Sequence, residues 1–297
     1  MASLKDLRSR ISSVKNTRKI TSAMKMVAAA KLRRAQEQVE KSRPFAERMD
    51  AVLARVAAGF ANNASAPKLL AGNGSDKAHL IVLATADRGL CGGFNTNLIR
   101  EARQLHKQLI HQGKSVSFVT IGRKARDAAK SIDKEALLAS FSEIDRPKLG
   151  FSIASEISDC ILRFFNEDRV NVVTIVYANF RSAITQDVTT QQLIPFTGTK
   201  QTQSNDAQSN ATKAMYEYEP SEAAVLDDLL PRNVAVQIYR GLLENQASEQ
   251  GARMTAMDNA TRNAGEMIDR LTLEYNRTRQ AMITKELIEI VSGAEAL

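Results

Sequence analysis

Residues 254–275, MTAMDNATRNAGEMIDRLTLEY, carry the clearest periodicity in the chain. Met254, Met257, Thr261, Ala264, Ile268, Leu271 and Tyr275 step by three and four alternately, so they form one stripe with a seven-residue repeat. Such a repeat specifies a left-handed coiled coil, and its seam requires a second helix. The chain contains a candidate at its other end. From Ser3 to Ala58 there is one proline, Pro44, and no glycine. Leu4, Leu7, Ile11 and Val14 make a first apolar stripe there, Ile20, Met24 and Val27 a second, and Met49, Leu53, Val56 and Phe60 a third. Ser3 with Asp6 forms an N-cap pair, Gly59 is a stop signal, and a kink is expected near Arg43. At 1.5 Å per residue this helix would extend roughly 80 Å, too long for a domain of this size to bury alone. Intramolecular antiparallel pairing is favoured over a homodimer, because a tethered helix presents itself at a millimolar-scale effective concentration.

Between the two helices the pattern changes. Residues 61–78 are small, polar and rich in Gly and Asn, which reads as a linker. His79–Ala84, Val116–Ile121 and Val170–Tyr177 are apolar runs of strand type, and Asp187–Phe196 is a further strand. Helical stretches at 94–111, 122–131 and 151–166 alternate with them, implying a mostly parallel, right-handed α/β sheet. Residues 197–213 have the composition of a mobile loop. From Pro220 the chain is helical again, with Pro231 expected to separate a short first helix from the long one. The expected division is therefore an N-terminal coiled-coil helix over 1–60, a linker over 61–78, a Rossmann-like α/β domain over 79–196, a loop and connection over 197–219, and a C-terminal coiled-coil helix over 220–297.

Composition narrows the function classes. With 43% apolar and 25% charged residues the chain is globular rather than disordered, and 5% aromatic content with no Trp suits long helices. Two cysteines, Cys91 and Cys160, neither build a disulfide framework nor show metal-ligand spacing, which points to a reducing, cytosolic compartment. No stretch approaches the roughly 18 apolar residues of a membrane span, so membrane contact is expected only through partners. The net charge of +8 is concentrated. Residues 1–58 hold 14 Lys and Arg against 5 Asp and Glu, leaving the other 239 residues near −1.

The turn TADRGLCGGFN, residues 85–95, lies where a dinucleotide-binding loop would sit, but Gly89, Gly92 and Gly93 do not make G-x-G-x-x-G and there is no Walker A lysine. Its glycines are read as permitting a tight turn. Cys91 lacks a nearby His to act as base, since His79, His106 and His111 fall on a strand and a mid-domain helix. No paired-carboxylate or metal constellation is visible, and no cofactor is expected. The basic first helix, with Arg8, Arg10, Lys15, Arg18, Lys19, Lys25, Lys31, Arg33 and Arg34, suits either nucleic acid or an acidic protein surface. Residues 283–297 place Ile283, Leu287, Ile288, Ile290, Val291 and Leu297 on more than one side, and with a single companion helix their burial must come from other chains.

Taken together, ISSVKNTRKITSAMKMVAAAKLRRAQ (11–36), SRPFAERM (42–49), DRGLCGGFN (87–95), YEYEPS (216–221), ENQASEQGARMTAMDNATRNAGEMI (244–268) and YNRTRQAMITKELIEIVSGAEAL (275–297) resemble the gamma-subunit family of F-type ATP synthases. The resemblance covers nearly the whole chain, and the last block is highly specific. It implies a non-catalytic rotor axle passing through a hexamer of alpha and beta subunits, with the α/β domain seated with the epsilon subunit on a membrane ring of c subunits. It also implies a peripheral location on the cytoplasmic face of a bacterial inner membrane, with no nucleic acid and no direct membrane insertion. By motif, the resemblance assigns beta-subunit coupling contacts to Met24, Lys25, Arg253, Arg279, Gln280, Thr284 and Glu286. It assigns an apolar bearing tip to Ile283, Leu287, Ile290, Val291 and Leu297, and a structural turn to Gly89, Cys91, Gly92 and Gly93. The chain departs from the family pattern at Lys25, where an acidic residue is common, and at Pro231, where a helix former is usual. Two competing readings remain open on residues alone: a Rossmann-type oxidoreductase and a basic coiled-coil nucleic-acid binder.

Overall fold

The structure, a computed structural model, describes residues 3–60, 67–144, 149–196 and 222–295. The chain divides into two compact units: residues Met1–Ala30 with Arg253–Leu297, and residues Lys31–Ala252. Two helices, α1 (Leu4–Phe60) and α6 (Glu222–Glu295), contribute to both.

The larger unit is built on a five-stranded sheet. Its elements are α2 (Lys68–Ala71), β1 (Ala78–Ala84), α3 (Phe94–His111), β2 (Ser115–Ile121), α4 (Arg123–Ile132), β3 (Leu137–Phe141), α5 (Phe151–Asn166), β4 (Val172–Phe180) and β5 (Gln186–Ile194). Strand order is β3-β2-β1-β4-β5, parallel throughout except for β5, which pairs antiparallel with β4. Leading from β1 to β2 to β3, the chain passes through α3 and α4. It then doubles back through α5 to β4 on the other side of β1. Right-handed crossovers in opposite directions place α5 on the face opposite α3 and α4. Side chains alternate between the two faces accordingly. Ile81, Leu83, Phe118, Val176 and Ala178 pack with Phe94, Leu98 and Ala102 of α3 and with Ala125 and Ala129 of α4. On the other face α5 buries Ala154, Ile157, Ile161, Phe164 and Phe165, and Gly241 of α6 approaches Ile175 and Tyr177 closely.

Strand β3 was not legible as a strand, because LLASF is short, is buried on neither side fully, and pairs with β2 alone. The fourth strand starts at Val172 rather than Val170 and runs on to Phe180. The stretch read as a linker contains α2 and the first residue of β1, and its residues 61–66 lie outside those described, as do 197–221 with the expected loop.

Both prolines are carried inside continuous helices, so the break expected at Pro231 is not present. A helical proline deprives the carbonyl four residues earlier of its partner. Here those residues are Glu40 and Asp227, both exposed, so the carbonyls lie on the side of the helix nearer water. Gly59 likewise does not end α1, which continues to Phe60. Around Pro231, Leu226 and Leu230 join Leu53 of α1 in a buried cluster that also packs Met49, Leu69, Leu70 and Phe196.

One glycine has a strict requirement. Gly122 lies at φ 95°, and a Cβ there would meet the Thr85 carbonyl oxygen at 2.5 Å. The closeness arises because Thr85 binds on both sides of Gly122, through its N–H to the Ile121 carbonyl at the end of β2 (2.9 Å) and through its hydroxyl, which accepts the Ala125 N–H in the first turn of α4 (2.7 Å). Gly122→Ala is expected to destabilise the chain by about 2 kcal/mol or more, and Phe118→Ala, at a fully buried site, by about 3–5 kcal/mol, both measured by denaturant unfolding.

Candidate functional site

The smaller unit is an antiparallel helix pair. Lys25 Nζ lies 2.6 Å from Asp258 Oδ1, the Thr21 and Thr261 hydroxyls are 2.7 Å apart, and Gly265 faces the Arg18 guanidinium. Each step back along α1 is matched by a step forward along α6, which establishes the antiparallel register. The heptad is confirmed on α6, where Met257, Ala264 and Ile268 are buried and Met254, Thr261, Leu271 and Tyr275 half-buried.

On α1 the inward residues are Leu4, Leu7, Ile11, Val14, Thr21, Lys25 and Ala28, again stepping mostly by three and four. The stripe read from Ile20, Met24 and Val27 is therefore displaced. Ile20 and Val27 are 60% and 58% exposed, while Thr21 and Ala28 face the seam and Met24 is only half-buried at its side. Apolar spacing misled because the seam position between Val14 and Ala28 is held by a threonine. Its hydroxyl is satisfied across the interface, and Thr261 also reaches back to the Met257 carbonyl at 2.7 Å. Small residues at this level let the helices approach closely.

Lys25 is held by Asp258, and the hydrogen bond from Lys25, reinforced by its charge, lowers the Asp258 carboxyl below its ordinary value. Both side chains are about half exposed, so the pair contributes little to stability. Lys25 thus has its acidic partner on the facing helix. Arg253 is half-buried at the start of this unit.

Continuing the register brings Leu4 opposite Arg279. Thr278 is the last half-buried residue of α6, and every described residue from Arg279 to Ala294 is exposed. Arg279, Gln280, Thr284 and Glu286 therefore stand on helix that has outrun its partner. So do the apolar residues Ile283 (48% exposed), Leu287 (56%), Ile288 (60%), Ile290 (68%) and Val291 (56%). Leu297 lies outside the described residues. The heptad position after Met282 is taken by Lys285, which pairs with Glu289 along the helix. The apolar set leaves the seam positions for Ile283, Leu287 and Ile290, one or two residues further on, so this segment presents a surface that the seam does not continue.

In the larger unit, the turn 85–95 is closed upon itself. The Asn95 side chain accepts the Ala86 N–H (3.0 Å) and donates to the Arg88 carbonyl (3.3 Å) and to Cys91 Sγ (3.2 Å). Cys91 is buried. Gly92 takes φ 57° and Leu90 φ 64°, whereas Gly89 and Gly93 sit in ordinary backbone with room for a side chain. Asp87 accepts the N–H groups of Arg123 and Glu143, joining the loops after β1, β2 and β3. Neither Asp87 nor Asn95 stood out in the sequence, since their partners are remote or backbone.

An open α/β sheet binds ligands where its strand order reverses, here between β1 and β4. Past the end of β1, Ala178 and Phe180 of β4 turn backbone groups toward that gap. Asn245 accepts the Ala178 N–H (3.2 Å), Ser248 donates to its carbonyl (3.1 Å), and Glu244 accepts the Phe180 N–H (3.1 Å). Three side chains of α6 thus occupy the edge a ligand would use. Among the described residues no group of three or more His, Cys, Asp or Glu is placed to hold a metal ion, and no helix is long and apolar enough to cross a membrane.

These features define a class of protein: a paired-helix interaction subunit with an α/β unit inserted between its helices. The family model described as ATP synthase matches residues 3–297. The ATP synthase gamma chain of Paramagnetospirillum magneticum is 53% identical over 297 residues, and that of Rhodospirillum rubrum 56% over 299, each alignment covering all of both chains. A chain from the central stalk and c-ring structure of Tetrahymena thermophila mitochondrial ATP synthase matches with a TM-score of 0.60 at 27% identity, covering 81% of this chain and 99% of that one. A chain of the Euglena gracilis mitochondrial enzyme matches with a TM-score of 0.68 at 21% identity, over 99% of this chain and 94% of that one, a likeness of fold. The chain belongs to the ATP synthase gamma chain family.

Two outcomes test the helix pair. Cysteines replacing Thr21 and Thr261 should form an intramolecular disulfide under mild oxidation, detected as a monomer of altered mobility; a cross-linked dimer would contradict the register. Because the folded-state carboxyl of Asp258 is depressed, its contribution is present above the unfolded value near 4 and fades as pH falls through the folded one. An NMR titration should place Asp258 below ordinary carboxylates, and Lys25→Ala should return it to them.

Proposed function

We propose that the chain is the central rotor subunit of an F-type ATP synthase, turning inside a hexamer of alpha and beta subunits and converting c-ring rotation into conformational cycling of the beta subunits. The observation that carries this reading is the unpaired end of α6. Apolar side chains from Ile283 to Val291 stand in solvent in the isolated chain, at a cost that is recovered only if another surface covers them. An apolar sleeve would cover them while forming no directional bonds that resist turning.

The polar residues beside that end fit transient contact. Arg279, Gln280, Thr284 and Glu286 are exposed, and exposed pairs are weak and screened, which suits contacts broken at every step. Met24, Lys25 and Arg253 are assigned the same role lower on the pair. The role is mechanical rather than catalytic. Differential contact with the beta subunits supplies the free-energy differences among their conformations. The α/β unit is assigned to the epsilon subunit and the c-ring, and the location to the cytoplasmic face of a bacterial inner membrane, reached through partners. The self-filled gap at the sheet's switch point favours this reading over a dinucleotide-dependent enzyme. The exposed apolar end favours it over a nucleic-acid binder, which would have no use for that surface.

The purified chain is expected to hydrolyse no ATP, yet to convert a mixture of alpha and beta subunits into a rotating ATPase. Hydrolysis by the chain alone at an ordinary enzyme rate would end the proposal. Replacing Arg279 and Gln280 together by Ala should leave folding intact and lower ATP synthesis in membranes by about two- to fivefold, the scale of two exposed polar contacts.

A further inference from the structure

Two polar fastenings, buried at Asp50, Gln237 and Glu244 and half-exposed at Arg43, join α1 and α6 to β4 and β5 within the larger unit. In the first, the Glu244 carboxylate, 2% exposed, accepts the Phe180 N–H (3.1 Å) through one oxygen and two Arg43 donors (3.0 and 3.2 Å) through the other. Arg43 Nη2 also reaches the Phe180 carbonyl at 3.5 Å. In the second, the Tyr177 hydroxyl donates to Gln191 (3.2 Å), Gln191 donates to Gln237 (3.1 Å), and Gln237 donates to Asp50, which is 4% exposed. Arg43 and Asp50 are seven residues apart on α1, as are Gln237 and Glu244 on α6. Each fastening therefore repeats at the same seam position two turns along both helices.

These seam positions would pack well with leucine. A buried carboxylate adds little net stability over an apolar residue of similar volume, so its presence calls for another reason. Apolar packing is non-directional and tolerates a helix turning or sliding against a sheet. Hydrogen bonds are directional, and a slip of either helix by one residue would strand the buried Glu244 carboxylate and unpair the Phe180 N–H.

Resting on the rotor reading, we propose that these two fastenings lock α1 and α6 in rotational register on the sheet and so carry torque between the α/β unit and the helices. Arg43, Asp50, Gln237 and Glu244 are positioning residues for coupling.

The test uses the assembled enzyme in membrane vesicles, reading protons pumped per ATP hydrolysed. Glu244→Gln keeps the volume and one oxygen for the Phe180 N–H while removing the charge that faces Arg43; Gln237→Leu cuts the second line. Each should leave hydrolysis near the wild-type rate and lower pumping per ATP, because loss of one hydrogen bond of ordinary strength raises a slipped population about fivefold. Leu53→Ala, which weakens the apolar cluster beside them, is the control: it should lower thermal stability and leave the pumping ratio unchanged. Should Glu244→Gln not assemble, Arg43→Gln probes the first line from its half-exposed side, and Tyr177→Phe and Gln191→Leu probe the second with smaller changes, all read by the same ratio. A wild-type pumping ratio in the variants that assemble overturns the fastening. A complex rebuilt with the unaltered chain that pumps nothing overturns the rotor reading instead.

Discussion

A long amphipathic helix in water is stable only against something that covers its apolar stripe, and in this chain the cover for each terminal helix is the other. Seven-residue spacing on both helices keeps the seams facing one another over many turns, and the tether formed by the intervening sequence makes the pairing intramolecular. The place where that mutual cover stops decides the chemistry of the free end. Helix α1 begins at Leu4, opposite Arg279, and beyond that level the described residues of α6 to Ala294 are exposed, apolar ones included. The proposed function rests on this difference in length between the two helices.

The α/β unit shows the same economy of cover. Its topology would ordinarily leave a crevice between β1 and β4, and little more than one turn of α6 places Glu244, Asn245 and Ser248 against the backbone groups exposed there. The helix thereby acts as a partial strand. A fold widely used for nucleotide chemistry here has side chains of α6 at the position a ligand would take, which illustrates that function is decided at sites and not by architecture.

Much of this was legible from residue spacing, for identifiable reasons. Helices α3 and α5 have clean boundaries because Gly93 and Gly150 precede them and their apolar periodicity is strong. The α6 heptad was plain because its seam residues are mainly apolar. Less legible was the middle of the α1 seam, where Thr21 and Lys25 take inward positions by finding Thr261 and Asp258 across the interface. Strand β3 carried too little apolar contrast, and Pro231 looked like a break because the packing that holds the helix there, Leu226 and Leu230 against Leu53, comes from residues remote in sequence. In the turn 85–95 the glycines drew notice, whereas Asp87 and Asn95 do more of the joining, through bonds to backbone groups.

The sequence by itself determined the element types, the heptad, the concentration of positive charge on the first helix, and the apolar character of the last turns, since each is a matter of residue type and spacing along one chain. Tertiary structure alone decided which polar residues enter the seam, where α1 ceases to cover α6, and what fills the gap between β1 and β4. Those outcomes depend on partners remote in sequence, such as Lys25 with Asp258 or Glu244 with Phe180, and a buried polar group becomes favourable only when its partner's position in space is known.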